Sequence, residues 1–210
     1  EMQKLIEFTA DQKDGFEEIV NIGMGRAGDS LARLLGVFVE LTAPSIRFIL
    51  SDNIGVELND LIGVDTVSGV RQGFFGAEGN TGIYGEAITI FTDTSFNELT
   101  VLLAFDDDLT ERGKQELLLD ISNLLNGACL NGIADQLDDV LGYSAPCVIG
   151  QEIPIYELLD QENLNWEHAL VLKVNYRVED RSFTCDLLLL MPEKAIESLV
   201  SKIDSILEKL

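Results

Sequence analysis

Asn21 and Pro44 recur as Asn123 and Pro146, and the positions around them follow at the same spacing, 123 − 21 = 102 residues. Ile19 falls on Ile121, Ile22 on Leu124, Gly25 on Gly127 and Leu31 on Ile133, while Thr42-Ala43-Pro44 falls on Ser144-Ala145-Pro146. With four prolines in 210 residues, a given position is proline by chance about one time in fifty. Both prolines follow an asparagine at the same distance, which is the mark of an internal duplication. The sequence therefore predicts one domain spanning residues 1–210, built from two repeats at about 9–104 and 108–210. A shared scaffold accounts for the apolar matches without any activity.

The pattern of elements supports two like halves. Thr9 followed by Gln12 forms a capping box, and a helical apolar rhythm then runs to Leu35 with Gly36 as its stop. Extended signals follow at 37–42, 45–50, 65–75 and 82–91, with an irregular piece between the second and third and a short helix at 94–104. The acidic run Asp106-Asp107-Asp108 suits the positive end of a helix dipole and reads as a solvated helix start. A helix from about 110 to 139 follows, then strands near 143–149, 168–178 and 181–191, and a last helix from Pro192 to Leu210. Two such halves related by a pseudo-twofold predict an α+β fold, with a mostly antiparallel sheet of about six strands and helices packed against it.

Charge and composition remove several functions. The formal net charge is −23, which repels phosphate backbones and anionic lipid surfaces, so nucleic acid and membrane are poor partners. The chain is 46% hydrophobic, enough to bury a core and too much for disorder. No apolar run is read here as long enough to span a bilayer, about 18 residues. The start EMQKLIEF also lacks the basic-then-apolar layout of a secretory signal, and a cytoplasmic setting is expected. A chain opening on Glu1 is expected to be a piece of something longer. Cys129, Cys147 and Cys185 are odd in number, far apart and set in apolar stretches, so reduced core thiols are expected. With His168 as the sole histidine and no ligand-like spacing, no metal site is expected.

The first helix carries an unusual polar stripe. At about 100° per residue, Asp14, Glu18, Asn21 and Gly25 share one side, and Phe16, Gly23, Ala27 and Leu34 gather on the other. Ile22 lies beside the stripe, and Gly25 removes bulk from its middle. Asn is a poor helix former, costing roughly half a kcal/mol at mid-helix with no packing in return. An exposed Glu and Asn on one helix are usually only solvated. Their recurrence as Asp120 and Asn123, flanked by Glu116, Leu124 and Gly127, gives the feature weight.

The pattern Asp14-x3-Glu18-x2-Asn21-x22-Pro44 resembles the signature of the CheC/CheX/FliY phosphatases of bacterial chemotaxis, and NIGMGRA resembles the segment that follows the family's asparagine. The second copy reads Glu116-x3-Asp120-x2-Asn123-x22-Pro146. Two copies over the whole chain look most like CheC. The resemblance implies a CheC-like fold and the dephosphorylation of a CheY-like response-regulator receiver domain, which holds an aspartyl phosphate and its own Mg²⁺. It implies no cofactor on this chain, and it adds a CheD-like deamidase as a further partner, as in some relatives. Asn21 and Asn123 would orient the attacking water, while Glu18 and Asp120 would face the partner's active-site lysine and fix the docking register. Asp14, Ile22 and Gly25, with Glu116, Leu124 and Gly127, would form the docking surfaces. Phosphoryl transfer asks mainly for positioning and charge stabilisation, so a neutral amide can serve without a strong base.

Copy two departs from the pattern, with Asp120 for the expected Glu and Glu116 for the expected Asp or Ser. Asp120 withdraws its carboxylate by about an ångström, a shift that can cost on the order of a hundredfold where geometry sets the rate. Leu117, Leu130 and Ala134 also stand where the first copy has Gly15, Gly28 and Ala32. The first site is accordingly expected to carry more of the activity. Two other readings compete: a receiver-binding or flagellar-switch-type adaptor without turnover, and a metal-dependent hydrolase built on the many carboxylates. Fold alone does not separate the first two. The third lacks a histidine partner for its acids.

Overall fold

The computed structural model describes residues 7–77, 82–104, 109–159 and 166–209. Helix α1 spans Ala10–Leu35 and is followed by strands β1 (Val39–Leu41) and β2 (Ser45–Leu50). Helix α2 (Ile54–Ile62), strands β3 (Thr66–Phe75) and β4 (Tyr84–Thr92) and helix α3 (Asp93–Leu102) come next. The rest comprises α4 (Glu111–Gln136), β5 (Gly142–Tyr143), β6 (Cys147–Pro154), β7 (His168–Val178), β8 (Thr184–Pro192) and α5 (Glu193–Leu207).

The eight strands form one sheet, and every pairing in it is antiparallel. Because β1 and β2 both pair with β7, and β5 and β6 both pair with β3, the sheet is six strands wide. Its order, β2-β7-β8-β4-β3-β6, is unchanged when β2, β3 and β4 are exchanged with β6, β7 and β8. The crossover Ser144-Ala145-Pro146 separates β5 from β6, with Ser144 N donating to Gly73 O at 3.0 Å. Thr42 N likewise donates to Asn175 O at 3.4 Å, 102 positions away at both ends.

Both faces of the sheet are covered. Leu170, Leu172, Val174 and Tyr176 of β7 join Phe16, Val20 and Ala27 of α1 and Leu118, Ile121 and Leu125 of α4 in the main core. The alternate residues Ala169 and Val171 point the other way, into a smaller cluster under α2 with Leu188, Leu190, Ile54 and Leu58. The central strand β8 is therefore buried on both sides, which explains its unbroken run Leu187–Met191 in place of an apolar–polar alternation. Each buried Leu or Ile adds roughly 1.5–3 kcal/mol by leaving water.

Local chemistry places the helix ends. Gln12 N donates to Thr9 Oγ1 (3.2 Å) and Thr9 N to Gln12 Oε1 (2.9 Å), closing the expected capping box, and Gly36 ends α1 in the left-handed region at φ 65°. Gln12 Nε2 also donates to Asp204 Oδ1 of α5 at 2.7 Å, tying the first turn to the last helix. Helix α4 is capped by Thr110, whose hydroxyl accepts from Gly113 N at 3.2 Å. The acidic run 106–108, expected to start this helix, lies outside the described residues.

Several expectations need correction. The irregular piece before β3 contains α2, whose Ile54, Leu58 and Leu61 are buried at helical spacing. Leu34, assigned to the core side of α1, is 46% exposed. Cys129 and Cys185 are buried thiols as expected, but Cys147 is exposed at the start of β6. Helix α4 is long and apolar enough by length and composition to span a bilayer, contrary to the sequence reading. As 61% of its apolar window is buried within the fold, that apolarity serves the core.

Candidate functional site

The two motif helices bury one side and leave the polar stripe free. In α1, Phe16, Ile19, Val20, Gly23, Met24 and Ala27 are buried, while Asp14, Glu18 and Asn21 are exposed and Ile22 and Gly25 are half-buried between them. In α4, Leu117, Leu118, Ile121 and Leu125 are buried, while Glu116, Asp120 and Asn123 are exposed and Leu124 and Gly127 half-buried. Residues three apart on a helix have Cβ atoms about 5–6 Å from each other. Each carboxylate can thus engage one partner group while the amide reaches the next.

The glycines in the two stripes differ from those around them. A Cβ at Gly25 or Gly127 would meet nothing within 4 Å, so these positions form a shallow opening in the outer surface of their helices. A Cβ at Gly28 would lie 2.9 Å from Leu41 Cδ2, and one at Gly15 would touch Ile203 and Leu207 of α5. Gly15 and Gly28 are therefore packing positions, like Leu117 and Leu130 in the other helix. They do not widen the first surface relative to the second.

Charge is distributed unevenly. Glu116 is held by Arg112, Nε to Oε1 at 3.0 Å, an exposed pair one turn apart. Among the described residues Asp14, Glu18 and Asp120 have no ion-pair partner, which leaves their carboxylates available to a cation from outside. Nor do the described residues contain any group of three or more His, Cys, Asp and Glu side chains placed to hold a metal ion.

The two amides have different neighbours. Asn123 Oδ1 accepts from Gln72 Nε2 at 3.2 Å. Gln72 lies on β3 between Val70 and Phe74, on the side that faces the helices, and is 4% exposed. Sequence reasoning missed it. The signal was present as a polar residue at an inward strand position where the other copy, 102 residues on, has Val174.

No family model matches the chain, and no curated protein does. Solved structures do. FliY of Thermotoga maritima superimposes with a TM-score of 0.66 at 17% identity, covering 95% of this chain and 99% of that one. FliM in its complex with SpeE from H. pylori gives 0.63 at 14% identity, covering 95% and 97%. The chemotaxis protein CheX of Desulfovibrio desulfuricans gives 0.53 at 13% identity, covering 82% and 99%. The chain has the CheC/CheX/FliY fold. The same fold serves the FliM domains, so it positions the two motif helices without deciding what they do.

Proposed function

We propose that this chain is a member of the CheC/CheX/FliY family that hydrolyses the aspartyl phosphate of a CheY-like receiver domain. The observation that carries the reading is that both carboxylate–amide pairs stand exposed on the outer sides of α1 and α4, each beside a glycine facing open space. Nothing in the core needs an amide at position 21, and the motif spacing is met twice.

The receiver docks with its phosphorylated pocket over one stripe. Glu18, or Asp120 in the second copy, engages the receiver's lysine and sets the register. Ile22 or Leu124 supplies the apolar contact, and the opening at Gly25 or Gly127 admits a receiver loop. The amide of Asn21 or Asn123 then holds a water in line with phosphorus. The water oxygen bonds to phosphorus as the bond to the aspartyl oxygen breaks, giving inorganic phosphate and the free carboxylate. Mg²⁺ held by the receiver would supply charge neutralisation there. Positioning of this kind can contribute several orders of magnitude without a strong base.

The second reading is an adaptor that grips a receiver or switch component without turnover. The likeness to FliM favours it. A binding and turnover comparison separates the two. Asn21→Ala/Asn123→Ala should keep receiver affinity within about threefold while lowering the dephosphorylation rate on the order of a hundredfold. Receiver binding by the unsubstituted chain with no acceleration of dephosphorylation would favour the adaptor.

A further inference from the structure

Beneath Asn123 a run of buried polar side chains crosses from the sheet into α4. Thr89 Oγ1 donates to Asn126 Oδ1 at 3.1 Å, and Asn126 Nδ2 donates to Gln72 Oε1 at 3.1 Å. Gln72 Nε2 donates both to Asn123 Oδ1 at 3.2 Å and to the carbonyl oxygen of Ser144 at 3.0 Å. Thr89 and Asn126 are wholly buried. The other half of the chain builds the same place from apolar residues. Position 174, 102 beyond Gln72, is Val, and position 24, 102 before Asn126, is Met. Val70 pairs with Thr89 as Leu172 pairs with Leu189, so the strand register makes Leu189 the counterpart of Thr89. Val174, Met24 and Leu189 are all buried. The scaffold therefore does not require the polar set.

The direction of these bonds is determined. A backbone carbonyl only accepts, so Gln72 must turn its NH₂ toward Ser144 O, which leaves its oxygen facing Asn126. Asn126 must then turn its NH₂ to Gln72 and its oxygen to the Thr89 hydroxyl. Asn123 can only present its oxygen to the second N–H of Gln72. Ser144 is itself fixed, since its backbone N–H donates to Gly73 O at 3.0 Å and its hydroxyl accepts from Gly73 N at 2.8 Å. The terminal torsion of an asparagine is otherwise broad. Here it is held, with both N–H groups and one oxygen lone pair left to face outward.

We propose that Gln72, backed by Asn126 and Thr89, is a positioning residue that holds the Asn123 amide in one orientation, so that the second site is preorganised and the first is not. Its consequence for turnover rests on the phosphatase reading. The longer anchor Glu18 favours the first site, and the held amide favours the second.

The test is Gln72→Leu in two backgrounds. With Asn21→Ala, where the second site alone turns over, kcat on a phosphorylated receiver domain should fall roughly tenfold while KM stays within about twofold. With Asn123→Ala, the same substitution should leave first-site kcat within about twofold. In parallel, NMR of the isolated chain reads the side-chain NH₂ of Asn123. Its order parameter should drop from about 0.8 to below about 0.6 on losing Gln72. Should Gln72→Leu unfold the chain, the triple variant Gln72→Val/Asn126→Met/Thr89→Leu keeps the packing that the other half already uses. An Asn123 amide that stays as ordered without Gln72, or an equal fall of kcat in both backgrounds, overturns the proposal. If the unsubstituted chain accelerates nothing, the phosphatase reading fails, and the amide's order still decides the positioning role.

Discussion

Gly25 sits between a carboxylate–amide pair and the rest of α1 with open space where its side chain would be. In an exposed helix interior, Gly costs about 0.8–1 kcal/mol relative to Ala. Gly25→Ala should therefore raise stability by up to that amount in a denaturant titration, yet slow receiver dephosphorylation several-fold by filling the opening. A stabilised variant with unchanged turnover would show that no loop enters there. The cysteines give a second check. Burial pushes the Cys129 thiol up to about 12, and Cys185 is also raised by burial, while Cys147 is exposed. A thiol reagent at pH 8 should modify one cysteine in the folded chain and three in denaturant. Rapid native modification of more than one would contradict the packing around α4. At this scale the outward, exposed placement of Glu18, Asn21, Asp120 and Asn123 was legible in the sequence, because an amide at an outward helical position breaks the apolar rhythm around it. It did not reveal Gln72, because a single strand residue shows only its own polarity. Its partners Asn126 and Thr89 become visible as a set only once strand register and the depth of α4 are known.

Contact between α1 and α4 limits how the two stripes can be arranged. A Cβ at Gly23 would lie 2.6 Å from Cys129 O and 2.8 Å from Ile133 Cγ1, and one at Gly132 would lie 2.7 Å from Gly23 Cα. At Gly23 and Gly132 the helices thus meet backbone to backbone, with no room for a side chain at that crossing. Gly23→Ala should force them apart and destabilise the chain by about 1–3 kcal/mol, measured by urea unfolding. A neutral Gly23→Ala would mean that the helices are free to slide. Long elements were the ones legible in the sequence. Strand β7 was expected at 168–178 and spans His168–Val178, and α1 ends where its cap and Gly36 predict. Helix α2 was missed because nine residues containing Gly55, Asn59 and Asp60 leave only three buried apolar positions to show a period. Splitting of β5 from β6 was missed for a different reason. The Ser144-Ala145-Pro146 crossover runs along β3 and mimics continued strand in sequence.

Across the whole molecule, the net charge of −23 governs how a partner arrives. An acidic receiver domain would be repelled at long range, so association should speed up as salt rises from about 0.01 to 0.15 M and the screening length shrinks from roughly 30 to 8 Å. Stopped-flow association at several ionic strengths reads this directly, and a steep fall with salt would reveal a basic partner surface. The sheet order that survives exchange of its halves makes α1 and α4 counterparts, so one chain presents two polar stripes with unlike amides. Turnover is read most directly from the decay of a phosphorylated CheY-like receiver domain in Mg²⁺ with this chain at one-tenth its concentration. Decay should accelerate through several turnovers per chain and return to the spontaneous rate with Asn21→Ala/Asn123→Ala. Decay that never exceeds the spontaneous rate, or that the double substitution leaves accelerated, would contradict it.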